Sequence, residues 1–96
     1  MRLYMIVSFR HKGLEKYYST GSKSGIVPQY EKRLRAILTR LDVAASAEDM
    51  NLPGLALHKL SGSLDGFMSV SVSGNWRVIV RLEEGNVLDV DYLDYH

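Results

Sequence analysis

The sequence predicts an α+β fold: an N-terminal strand, then two helices packed on one face of a mostly antiparallel sheet that a C-terminal three-strand meander completes. Three observations carry that expectation. Tyr30, Leu34, Ile37, Leu38 and Leu41 recur at helical spacing and form one apolar stripe. Three strand patterns follow one another between Phe67 and Leu93, parted by short Gly- and Asn-containing turns. A separate apolar run, Leu3 to Phe9, precedes the helices.

The elements follow in chain order. Leu3–Phe9 is rich in β-branched and large apolar residues and reads as a strand. Arg10-His11-Lys12-Gly13 breaks it, and Leu14–Ser19 forms a short helix with Leu14, Tyr17 and Tyr18 at helical spacing. Gly21–Gly25 is a loop closed by Pro28. The main helix runs from about Pro28 to Val43, with Lys32, Arg33, Arg35 and Arg40 mostly off its apolar stripe. Ala44–Met50 adds a possible helical turn, stopped by Asn51-Leu52-Pro53-Gly54. Leu55–Leu60 is short and apolar around His58 and Lys59, and Ser61–Gly66 is a second loop. The meander strands are Phe67–Ser73, Asn75–Leu82 and Val87–Leu93, joined by hairpin turns. In the middle one, Trp76, Val78, Val80 and Leu82 share one face and Arg77, Ile79 and Arg81 the other. Because each helix has one apolar side to bury, both must cover the same sheet face. The opposite face is left as an open polar concavity beside the His58 segment and the C-terminal tail.

Composition bounds the function. The 96 residues make a single domain over 1–96, 46% hydrophobic and 24% charged. With no cysteine, disulfides, thiolate metal sites and cysteine nucleophiles are excluded, which fits a reducing cytoplasm. No apolar run reaches the roughly 18 residues of a membrane span, and the start is too soon interrupted by Ser8 and Arg10 for a signal peptide. The net charge of +1 hides an asymmetry. Residues 1–48 carry nine Lys or Arg against four acids, and residues 49–96 carry three against seven. A basic half is either a polyanion-binding surface or a solvated helix face.

Phosphate-binding glycine loops, a Gly-x-Ser-x-Gly elbow and paired helical histidines are all absent from the sequence. What remains is a scattered set. His58 is a candidate proton-transfer group or a histidine satisfied by a backbone carbonyl. Arg77, fixed by the neighbouring Trp76, can grip a phosphodiester with its fork or pair across strands with Asp89 or Asp91. The last three residues, Asp94, Tyr95 and His96, follow a strand and so can be held against the sheet. His58, Asp91, Asp94 and His96 match no closed metal-ligand spacing.

Taken in order, Met5-Ile6-Val7-Ser8-Phe9 with His11-Lys12-Gly13-Leu14, Leu57-His58-Lys59-Leu60-Ser61-Gly62, Asn75-Trp76-Arg77 and the terminal Asp91–His96 resemble the HigB branch of the RelE/ParE-type toxins. The resemblance covers nearly the whole length. It implies a RelE-like fold and the toxin of a bacterial type II toxin–antitoxin pair, a ribosome-dependent endoribonuclease that cuts mRNA in the A site. Such toxins use no metal and no cofactor: the ribose 2′-hydroxyl attacks the adjacent phosphate and leaves a 2′,3′-cyclic phosphate. Carried onto this chain, the catalytic set is His58, Arg77, Asp94, Tyr95 and His96. His58 and His96 form the proton-transfer pair, Asp94 orients one of them, Arg77 supplies charge and Tyr95 stacks on a base. Lys12, Lys16, Lys32, Arg33, Arg35, Arg40 and Lys59 become RNA-binding candidates. The implied partners are a HigA-like helix-turn-helix antitoxin, the ribosome with its RNA, and mRNA, with the free toxin monomeric.

The chain departs from the pattern where the branch can carry Lys in His-x-Leu-Lys-Gly: here that place is Ser61, and Lys59 follows His58 directly. The usual Met-Ile start falls at Met5, which makes Met5 an alternative to Met1 for the first translated residue. A ParE-like toxin that poisons DNA gyrase shares the fold but needs neither His58 nor His96, and a non-catalytic interaction domain needs none of the set.

Overall fold

In a computed structural model of the chain, residues 5–43, 57–73, 75–83 and 85–94 are described. The possible helical turn over 44–50, the stop at 51–54, the tips of both hairpins, and Tyr95 and His96 lie outside them.

Strand β1 (Met5–Ile6) leads into helix α1 (Lys12–Thr20), and a 3-10 turn at Pro28–Tyr30 opens helix α2 (Glu31–Val43). Strand β2 (His58–Lys59) and a second 3-10 turn, Gly62–Leu64, precede β3 (Phe67–Ser73), β4 (Trp76–Glu83) and β5 (Asn86–Asp94). The five strands form one sheet in the order β1-β5-β4-β3-β2. β1 runs parallel to β5, and all other pairs are antiparallel.

Helix α1 starts two residues before the expected Leu14. His11 is its N-cap, its Nδ1 accepting the Leu14 N–H at 2.9 Å. The strand ends before this segment as expected, but Gly13 lies in the first turn of the helix and not in the break. It is there because its backbone touches that of Gly25: a Cβ on Gly13 would sit 2.4 Å from the Gly25 carbonyl oxygen. The helix ends at Gly21 in the left-handed region (φ 81°), whose N–H donates to the Tyr17 carbonyl at 2.8 Å.

Helix α2 buries the expected stripe, with Leu34, Ile37, Leu38 and Leu41 all withdrawn from solvent. They pack with Leu14 and Tyr17 of α1 against Val70, Val72, Val78, Val80, Val87, Val90 and Tyr92 of the sheet. Between the helices the Tyr17 hydroxyl donates to buried Glu31, and Arg35 grips the same carboxylate through Nε and Nη2 at 2.8–3.0 Å. These bonds hold the Glu31 carboxyl below the usual range, Tyr17 first and Arg35 second.

β5 is not a plain alternating strand. Arg81 pairs with Leu88 while Ile79 pairs with Asp91, so Asp89 and Val90 oppose the single residue Val80. Asp89 adopts φ 54°, and its N–H donates to Ser8 Oγ at 2.9 Å. The bulge lets Val87 and Val90 both face the core. It also explains why the N-terminal strand, expected to reach Phe9, stops at Ile6: regular pairing with β5 is interrupted there and returns only as a Phe9–Val90 bridge.

Candidate active site

Register decides which side chains share a face, because residues directly opposed across strands point to the same side of the sheet. His58 opposes Ser69, Ser69 opposes Ile79, and Ile79 opposes Asp91. The next row is Ser71, Arg77 and Leu93, and the row on the other flank is Phe67, Arg81 and Leu88. All three rows lie on the face away from the helices, as the alternation in β4 requires. His58 and Arg77 thus share one face of the sheet, two strands and one row apart, or about 12 Å between Cα atoms from standard sheet spacing. Two side chains at that separation can reach a phosphodiester set between them.

The face is polar at its edges but apolar at its centre. Ile79, Phe67 and Ser69 are buried, outside the main core cluster. The open polar concavity expected from sequence is corrected accordingly: a hydrophobic floor carries a cationic rim.

The three arginines of that rim differ. Arg81 is neutralised, Nη1 bonding Glu83 at 2.6 Å and Nε bonding Asp89 at 3.2 Å. Arg77, half-exposed, makes no side-chain hydrogen bond or ion pair among the described residues. Of the two sequence readings of Arg77, the cross-strand pair to Asp89 thus belongs to Arg81. Asp91 turns its carboxylate to the Tyr92 N–H at 2.9 Å. The third, Arg10, is exposed and lies over the Phe67 ring at 5.1 Å. Sequence reading missed it, taking Arg10 as a strand breaker. The available signal was Phe67, a large aromatic in the serine phase of β3.

Trp76 anchors Arg77 from the opposite face. Its ring lies 4.7 Å from Tyr92 and 6.5 Å from Tyr30, and His11 meets Tyr92 edge-on at 5.4 Å. Asp94, the last residue of β5, opposes Trp76, so the register puts it on the Trp76 and Tyr92 side, exposed at the rim of the sheet. The structure therefore brings His58 and Arg77 together and places Asp94 at the adjoining edge. Tyr95 and His96 lie outside the described residues.

The RNA-binding candidates occupy a second surface. Lys12 and Lys16 are exposed on α1, and Lys32, Arg35 and Arg40 on α2, with Arg33 half-buried. Lys32, Arg35 and Arg40 line a shallow concavity of about 410 Å³. Lys59 is exposed on the edge strand, opposite Met68. A slightly larger concavity of about 440 Å³ lies between α1 and α2, where Tyr18 donates to Asp42 at 2.6 Å and Arg35 to Glu31. It is remote from His58 and Arg77, and these charged groups are engaged with one another. No helix among the described residues is long and apolar enough to cross a membrane.

Comparison with known proteins identifies the family and the fold. The family model described as the RelE-like toxin of the type II toxin–antitoxin system HigB matches residues 7–96. The chain is 35% identical over 92 residues to the endoribonuclease HigB of Proteus vulgaris, covering 96% of this chain and all of that protein. It is 32% identical over 94 residues to the toxin HigB-1 of Vibrio cholerae, covering 96% of this chain and 98% of that one. In fold it is similar to a chain of the heterotetrameric YoeB–YefM toxin–antitoxin complex of Staphylococcus aureus, with a TM-score of 0.60 at 17% identity, over 100% of this chain and 99% of that one. YafQ of E. coli follows at a TM-score of 0.51 and 16% identity, over 92% and 88% of the two chains. These likenesses, with the motif order from Phe9 to the Asp-Tyr-His terminus, place the chain in the HigB-like family of RelE-like type II toxin–antitoxin toxins.

Proposed function

We propose that this toxin is an endoribonuclease that cuts mRNA in the ribosomal A site, in the cytoplasm, on the face of its sheet turned away from α1 and α2. The observation that carries the reading is the placement of His58 and Arg77 on one face of the sheet, two strands and one row apart, with the Arg77 guanidinium making no hydrogen bond or ion pair among the described residues. The endoribonuclease name of the Proteus relative supports the activity.

The chemistry needs no group beyond the chain. Attack by the 2′-hydroxyl requires a base at that oxygen, an acid at the leaving 5′-oxygen, and positive charge on the phosphorane. Arg77 supplies the charge, and its planar fork matches two non-bridging oxygens. His58 and His96 exchange the protons, Asp94 orients the tail from the sheet rim, and Tyr95 stacks on an mRNA base. Lys12, Lys16, Lys32, Arg33, Arg40 and Lys59 contact ribosomal RNA without reading sequence, and Arg35 contributes less because it is tied to Glu31. An antitoxin partner follows from the family, and a HigA-like helix-turn-helix protein fits it.

The test is to add purified toxin to programmed ribosomes and map the mRNA ends. New ends in the A-site codon, with a 5′-hydroxyl on one fragment and a 2′,3′-cyclic phosphate on the other, are expected. Intact mRNA during growth arrest would overturn the reading, and a supercoiling defect would substitute the gyrase-poisoning one.

A further inference from the structure

We propose that Arg10 is a second phosphate-binding residue of the cleavage face, holding an mRNA linkage other than the one that is cut; this rests on the mRNA-cleavage reading above. Three observations carry it. Arg10 stands just outside the sheet, its N–H bonded to the Val90 carbonyl at 2.8 Å, yet its guanidinium reaches back over Phe67 of β3. Phe67 belongs to the face turned away from α1 and α2, since it opposes Arg81 in the row next to that of His58. And among the described residues the Arg10 side chain makes no hydrogen bond or ion pair.

A guanidinium resting on an aromatic ring is held without using its N–H groups, which stay available in the plane for two phosphate oxygens. The buried ring beneath it fixes where that charge sits, as a salt bridge would, but without neutralising it. Arg81, in the same row, shows the contrast: two carboxylates occupy it. The face thus offers two unneutralised forks, Arg10 and Arg77, with the His58 row between their rows. Those outer rows are four residues apart on β4, about 13 Å. With Arg10 seated on its ring and Arg77 upright in its own row, the two forks are spaced for different linkages. Arg77 faces the scissile phosphate, and Arg10 fixes the strand on the far side of His58.

The test uses the full chain on programmed ribosomes, comparing wild type with Arg10→Met, which keeps Phe67 covered but carries no charge, and Arg10→Lys. Arg10→Met is expected to slow cleavage roughly ten- to a hundredfold, the worth of one charge-assisted contact, with the melting temperature unchanged. The fall of log rate with log salt becomes shallower by about 0.7, one phosphate contact on a single strand. Arg10→Lys recovers part of the rate. A series of mRNAs with a neutral methylphosphonate at each linkage flanking the cut then locates the contact. At one linkage, neutralisation slows wild type but slows Arg10→Met no further. The proposal is overturned by a rate and salt slope equal to wild type, by a rate loss that follows lost stability, or by additive effects at every linkage. A wild-type protein that cuts nothing overturns the function reading itself and this proposal with it.

Discussion

Arg81 and Asp89 are joined at 3.2 Å across β4 and β5, at the point where the β5 bulge puts Asp89 in the left-handed region. Arg77, four residues before Arg81 on the same face, pairs with no acid among the described residues. The two arginines should therefore fail differently. Arg77→Ala is expected to lower cleavage by about 10²–10³-fold, the usual loss for one charge-stabilising donor, with stability unchanged. Arg81→Ala should leave cleavage within a few fold and cost on the order of 0.5–1 kcal/mol, since the pair is partly screened by solvent. Single-turnover rates and urea midpoints on the same two proteins separate the effects.

His58 is exposed on a two-residue edge strand and contributes nothing to the core. Replacement by Gln should slow cleavage by about 10²–10⁴-fold, the range for a lost proton-transfer group. Unfolding free energy should move by no more than about 0.5 kcal/mol. An active His58→Gln protein would exclude His58 from proton transfer.

What could be read from sequence follows the range of the interactions. The α2 stripe and the β4 alternation are local periodicities enforced by a single buried face, so Leu34 to Leu41 and Trp76 to Leu82 were legible. The bulge was not: Asp89-Val90-Asp91 keeps an unbroken polar–apolar alternation. Its phase is reset where the Asp89 N–H donates to Ser8 Oγ, a partner distant in sequence. Asp94 moved to the rim of the site for that reason. The place of Gly13 within α1 was hidden for a related reason, since a close approach between Gly13 and Gly25 leaves no local pattern. Arg10 was hidden because its partner, Phe67, lies on a strand two away from β5.

Glu31 links stability to pH. Its folded-state carboxyl lies below the ordinary glutamate value, so the unfolded chain binds its proton first as pH falls. Its contribution is present above the unfolded value and is lost as pH drops through the folded one. Urea midpoints should fall from neutral pH toward about pH 3, and Glu31→Gln should flatten part of that slope while lowering the neutral midpoint. A mutant with an unchanged acid slope would remove Glu31 from the acid response.

The same bond predicts unequal roles for the basic residues of α2. Arg35 is committed to Glu31, whereas Lys32 and Arg40 make no side-chain hydrogen bond or ion pair among the described residues. Lys32→Ala and Arg40→Ala should each weaken ribosome binding and reduce its salt slope by about 0.7–0.9. Arg35→Ala should change the slope less and lower the melting temperature more. Equal slopes for all three would mean that Arg35 leaves Glu31 to bind RNA.

Gly13 and Gly25 hold α1 against the loop that leads into α2 by backbone contact alone. An added Cβ on Gly13 meets the Gly25 oxygen at 2.4 Å and its Cα at 2.7 Å, and neither can rotate away as a side chain would. Gly13→Ala should destabilise by about 1–3 kcal/mol, the range for overpacking, although alanine is the better helix former. Gly21→Ala is the control: nothing lies within 4 Å of its Cβ, and only its φ of 81° opposes the change. It should cost about 1 kcal/mol. If Gly13→Ala instead raised the urea midpoint, as helix propensity alone would have it, the two backbones must be able to separate at little cost. The contact would then not fix where α1 begins.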